Sequence, residues 1–217
     1  NPKEIDKERG VIHEEWRQRT NALTRMLERN LPDLYPNSKY GLRWPIGKME
    51  IIDNFKPKEL RDYYEKWYRP DNQGIIIIGD VDVDRTEAKI KEMFAPIALR
   101  KNAAQVVEEP VPDNDQPIIV VDKDKEQQYS MVEMMFKNDA VPAQMKSNVS
   151  YYIYRYVNDV ICNMLNQRLS EMAQNPDCPF AMAECSNGKY ILAKTKNAFS
   201  VSALPKEGQT DQALASL

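Results

Sequence analysis

Four prolines, Pro96, Pro110, Pro112 and Pro117, fall in a run otherwise rich in Lys, Glu, Asp, Asn and Ala. Proline fixes φ and removes a backbone donor, so neither a helix nor a central strand can run through this stretch. Apolar patterning resumes on both sides of it. The run reads as a linker, and the chain of 217 residues divides near residue 105 into parts 1–104 and 105–217. Each part mixes helical and strand patterns, which predicts an α+β fold of two domains.

The first part opens with a helical pattern from about Pro2 to Arg29. Val11, Ile12, Trp16, Leu23, Met26 and Leu27 recur at the three, four and seven spacing of an amphipathic helix. Leu31 to Ser38 holds Pro32, Pro36, Asp33 and Asn37 and predicts a loop, which Pro45 and Gly47 continue. Trp44 and Ile46 are its candidate anchors. Pro57 suits the first turn of a helix that runs to about Trp67, and Pro70 with Asp71 and Asn72 ends that element in a turn. Arg69 is a candidate partner for a buried carboxylate. The β-branched run Ile75–Ile78, bounded by Gly74 and Gly79, predicts a central strand. Asp82 or Asp84 can cap a helix over Arg85–Phe94.

The second part predicts strands at Ile118–Val121 and Gln128–Lys137, separated by the charged turn Asp122–Glu126. Both faces of the second strand carry apolar residues, which argues for a place inside a sheet. A long helix spans Ala143 to about Ala173. Gln174–Gly188, with Pro176 and Pro179, reads as irregular, and Tyr190–Thr195 and Phe199–Leu204 read as a hairpin or successive strands. Gln212–Leu217 has the pattern of a helix.

The net charge of −3, with both signs mixed, argues against nucleic acid as a partner. No apolar run has the length of a membrane-spanning helix. The cysteines are Cys162, Cys178 and Cys185, an odd number whose spacing fits neither a zinc knuckle nor a disulfide scaffold. Cys162 has the setting of a small core residue, and a Cys178–Cys185 bridge is open in an oxidising compartment.

Within the first helix, Glu8 and Glu15 are seven residues apart. They share a face, roughly 10 Å apart along the axis, and border the apolar stripe. Inward carboxylates are costly unless a cation, a metal or several donors meet them; from spacing alone, two surface glutamates on a charged helix are the simpler reading.

The run Glu8-Arg9-Gly10-Val11-Ile12-His13-Glu14-Glu15-Trp16 resembles a segment of the pitrilysin/insulinase-type zinc peptidases. So do Tyr40–Gly47, the string Lys66-Trp67-Tyr68-Arg69-Pro70-Asp71-Asn72 with the strand after it, and Asn163–Glu171, in family order. The resemblance implies that Glu15 is the third zinc ligand and Glu8 a supporting carboxylate. It also implies that the general base and two further ligands stand in an inverted His-x-x-Glu-His motif. This chain has one histidine, His13, which matches neither histidine of that motif.

The chain thus resembles a piece of such a peptidase: the C-terminal part of a first, metal-site-bearing domain and the first part of a second. The resemblance implies that the two are similar, each a mostly antiparallel sheet packed against helices. In that reading the parent uses Zn2+ to cleave peptides or unfolded chains in an enclosed chamber. Its partners are the substrate and the C-terminal half of the same protein or a homologous subunit. The piece alone is expected to be inactive and to self-associate through uncovered edges. A non-catalytic, chamber-forming homologue is the alternative, and an unrelated α+β protein a more distant one. The bacterial periplasm and the cytoplasm are both open as compartments.

Overall fold

The computed structural model describes residues 1–217. Two compact units emerge. One comprises Asn1–Glu15 and Gly47–Val107, the other Trp16–Ile46 and Glu108–Leu217. The α+β class holds: ten helices and strands include one antiparallel sheet.

The helical pattern at the N-terminus is two helices, α1 (Pro2–Arg19) and α2 (Ala22–Leu34). The periodicity alone predicts one helix through to Arg29. The break falls at Thr20-Asn21, because Asn21 is extended and caps the second helix. Its Oδ1 accepts from Thr24 N at 3.0 Å, and Thr24 Oγ1 accepts from Asn21 N at 2.8 Å. Helix α2 then runs through Pro32 into the stretch read as loop.

In the first unit, α3 (Met49–Asn54), α4 (Pro57–Trp67) and α5 (Val83–Phe94) follow. Pro57 opens α4 as its sequence suggests, and the Glu59 carboxylate accepts from Lys56 N at 2.7 Å. Asp82 is the cap of α5, accepting from Arg85 N at 2.9 Å. Arg69 is buried and knits the turn after α4. It donates to Asp71, to the Lys66 carbonyl and, at 2.6 Å, to the Ala104 carbonyl. Its carboxylate partner, Asp71, is itself half-exposed rather than buried.

Two expected strands are absent as ladders. Residues 74–79 and 118–121 pair with no other strand. Ile76 and Ile78 are 84% and 92% exposed, and Ile119 and Val121 are 82% and 92% exposed. Their β-branched composition matches a strand, but hydrogen-bonded neighbours are what make one.

The sheet of the second unit is β1 (Val132–Asp139), β2 (Phe180–Lys189) and β3 (Lys196–Pro205), in the order β1-β3-β2. β1, read as interior, is an edge strand. β2 lies where the sequence reads as irregular. Its inward residues include Ala183 and Cys185, too small to announce a strand, and Asn187 and Gly188 weaken its β-propensity further. Conversely, Tyr190–Thr195 is the connection between β2 and β3, with Ile191 at φ 51°. The long helix α6 (Val149–Ala173) packs on β2, and α7 (Thr210–Ser216) closes the described chain.

Two cores fill this unit. Leu31, Tyr35, Val111, Tyr190, Ala193 and Ala198 form one, with Trp44 and Leu27 against it. Phe180, Ala183, Ala203, Ala213 and Cys178 form the other. Gly41 is forced by the first: a Cβ there would stand 3.0 Å from the Tyr35 carbonyl oxygen and 3.1 Å from that of Leu31. No buried apolar residue lies in the first unit.

Candidate functional site: the carboxylate face of the first helix

Helix α1 carries the candidate residues, and two contacts within the first unit set its rotation. Arg9 Nη2 donates to the Phe55 carbonyl at 2.7 Å, and the guanidinium lies over the Phe55 ring at 4.1 Å. One turn on, His13 Nε2 donates to Asp53 Oδ1 at 2.7 Å. Arg9 Nη1 is buried without an oxygen acceptor, and the ring face beneath the guanidinium is its compensating contact.

At about 100° per residue, Arg9 and His13 lie within roughly 40° of each other around the helix, and Glu8 and Glu15 within roughly 20°. The two pairs are roughly 130° apart. Anchoring α1 through Arg9 and His13 therefore turns the two carboxylates away from α3. Both are solvent-exposed, which corrects the expectation that they face inward. The desolvation cost foreseen for them does not arise.

The residues of this chain do not by themselves fit a zinc ion. No three His, Cys, Asp or Glu side chains converge in a metal-holding group, and a structural or catalytic zinc takes at least three protein ligands. His13 is engaged by Asp53 and is not brought to Glu15. Glu15 can be one ligand of a site whose remaining ligands lie elsewhere, and Glu8 a neighbouring carboxylate.

The stretch Tyr40–Gly47 is bound into the second unit up to Ile46. Tyr40 stacks on Tyr35 with ring centroids 5.4 Å apart, and its hydroxyl accepts from Lys194 N at 3.1 Å. In the Asn163–Glu171 stretch, Asn166 rather than Arg168 meets the sheet. Its Oδ1 accepts from Cys185 N at 2.6 Å and its Nδ2 donates to the Cys185 carbonyl at 3.0 Å. Gln167 Nε2 donates to the Glu171 carboxylate at 3.3 Å.

Sequence reasoning missed the clamp on the turn Asp122–Glu126. Arg25 grips Asp124 through Nε and Nη2 at 2.9 and 2.7 Å and reaches Glu126 at 2.7 Å, while Arg29 holds Asp122. The guanidiniums keep the Asp124 and Asp122 carboxyls below their usual range, Asp124 far below it. The signal was present: two arginines one turn apart on α2 and an acidic triplet with alternate spacing.

A family model described as "Peptidase M16 inactive domain" matches residues 54–216, most of the chain. The chain belongs to the M16 peptidase family. It is 30% identical over 172 residues to the probable zinc protease PqqL of Escherichia coli, a match covering 79% of this chain and 18% of that M16 relative. With its Haemophilus influenzae counterpart it is 43% identical over 91 residues, 42% of this chain and 10% of the relative. The solved structure of the periplasmic protease PqqL from Escherichia coli superposes with a TM-score of 0.81 at 25% identity, covering 100% of this chain and 23% of that one. The chain thus spans a fifth or less of the curated relatives' length. The M16 match begins at residue 54, beyond α1, so Glu8 and Glu15 lie outside it.

Proposed function

We propose that this chain is a segment of a zinc-dependent M16 endopeptidase, in which α1 supplies one zinc ligand, Glu15, with Glu8 as its supporting carboxylate. The solvent-exposed pair on one face of a braced helix is the observation that carries the reading. The names of the relatives, zinc proteases, support the metal and the reaction class. The remaining zinc ligands and the general base then come from outside this chain, which alone is inactive and binds zinc weakly.

Residues 54–216 take the non-catalytic part: the inactive-domain description of the matching model favours a chamber-forming role for them. The substrate is a peptide or unfolded chain, and the partner is the other half of the same protein or a homologous subunit. The periplasmic relative supports that compartment for the parent, and no helix here is long and apolar enough to cross a membrane. In isolation, the uncovered Ile76, Ile78, Ile119 and Val121 drive self-association.

Peptide cleavage by the full-length protein is the test. Glu15→Gln keeps the size of the side chain and removes its charge, so cleavage falls below detection. Glu8→Gln falls about 10- to 100-fold, the usual effect of a group that orients a ligand. Near-normal cleavage by Glu15→Gln overturns the reading.

A further inference from the structure

Asn158, Cys162 and Asn166 recur every four residues along α6 and form one stripe of small side chains. All three meet β2. Asn158 Oδ1 accepts from Asn187 Nδ2 at 2.8 Å, and Asn166 clasps both backbone groups of Cys185. Side chains this short bring helix and strand backbones together. Cys162 sits midway along the stripe, one turn from Asn166, and Cys185 is the residue that Asn166 holds.

The Cys185 Sγ lies 3.5 Å from the Cys162 carbonyl oxygen. Both cysteines are free thiols. We propose that Cys162 and Cys185 are a redox pair that closes into a disulfide bond, tying α6 to β2, by exchange with a small organic disulfide. This differs from the 178–185 pairing open on sequence grounds. Cys178 belongs to the second core with Phe180 and Ala213, and Cys185 is turned to α6 instead.

The electrons balance in two exchanges. The Cys162 thiolate attacks one sulfur of the organic disulfide, giving a mixed disulfide and releasing one small thiolate. The Cys185 thiolate then attacks the Cys162 sulfur, forming the protein disulfide and releasing the second small thiolate. Two protein thiols lose two electrons and two protons, and one disulfide becomes two thiols. The order follows from access. Cys162 is half-buried and meets the oxidant, whereas Cys185 is 4% exposed. Burial, with the Cys162 thiol beside it, pushes the Cys185 thiol up to about 11. It is therefore a slow resolving thiol near neutral pH, and a faster one as pH rises.

The test uses full-length protein incubated under native conditions with oxidised glutathione at pH 8.5. Remaining thiols are blocked after acid quenching and denaturation, and the unreduced digest is mapped by mass spectrometry. The expected product is the Cys162 peptide joined to the Cys185 peptide, with Cys178 recovered blocked. Cys178→Ser leaves the yield of that product unchanged, and Cys162→Ser leaves Cys185 recovered blocked. Recovery of Cys162 and Cys185 as blocked thiols or as glutathione adducts alone overturns the proposal. So does a Cys178–Cys185 link in the unsubstituted protein.

Discussion

Tyr35 and Tyr190, 155 positions apart, tie two segments of the chain together across one core. The Tyr35 hydroxyl donates to the Tyr190 carbonyl at 2.6 Å and accepts from Leu192 N at 2.8 Å, while the Tyr190 hydroxyl donates to the Leu34 carbonyl at 2.8 Å. Their rings meet edge to face at 5.1 Å. Helix α2 is fastened in this way to the connection between β2 and β3. Tyr35→Phe keeps the ring and strands a buried carbonyl and a partly buried N–H. The expected loss is about 2 kcal/mol of unfolding free energy, read from urea denaturation followed by circular dichroism.

The same pair sets an alkaline limit. Burial pushes the Tyr190 hydroxyl up to about 12 and raises that of Tyr35 as well. In the unfolded chain a tyrosine ionises near 10. The folded state therefore holds protons that the unfolded state has lost, and stability falls as pH rises through the window from about 10 to 12. Thermal melts across that window should decline in the parent sequence and decline less steeply in Tyr190→Phe. Parallel declines would contradict the assignment.

The clamp of Arg25 on Asp124 sets the acid limit with the opposite sign. The folded carboxyl is depressed below the ordinary carboxylate range by the guanidinium it accepts from. Its contribution is complete above the unfolded value of about 3.9 and is lost as pH falls below it. Asp124→Asn should lower the melting temperature at pH 7 and lose much of that difference by pH 2. A deficit of equal size at both pH values would mean that the pair contributes through packing alone.

The linker is narrower than its composition suggests. Ser38 Oγ donates to the Pro110 carbonyl at 2.7 Å, Val111 is buried, and Lys196 Nζ donates to Asp113 Oδ1 at 2.7 Å. Residues 109–113 are thus held within the second unit. Val106 and Val107 are 64% and 80% exposed, and the division between the units falls at Val107/Glu108. Within the linker read from composition, that leaves as the exposed segments 105–108 and 97–102, the latter tied to Glu65 only through the exposed Arg100. Limited proteolysis read by mass spectrometry should cut first at 105–108 or 97–102 and spare 109–113.

Local chemistry was legible wherever a residue acts on its own neighbours. Pro57 opening α4, an aspartate capping α5 and the stop at Pro70 are decided within a few residues, and the sequence alone predicts them, leaving only the choice of Asp82 over Asp84 to the structure. Elements decided at long range were not. The segment 74–79 has every β-former it needs and lacks a neighbour. β2 has a neighbour on one side and few β-formers. Arg9 and His13 could be read only as helix residues, because their meaning lies in Phe55 and Asp53, more than thirty positions away. Of the candidate site, the shared face of Glu8 and Glu15 follows from helical spacing. Their exposure does not, since it depends on which side of α1 is anchored.

Diffraction at the zinc absorption edge shows whether Glu15 ligates zinc in the whole protein. Crystals of the full-length protein should give an anomalous peak about 2.0–2.2 Å from a Glu15 carboxylate oxygen. That peak should vanish or weaken strongly in Glu15→Gln and persist in Glu8→Gln. A zinc peak at full strength in Glu15→Gln, or one bound by residues remote from α1, would contradict the account.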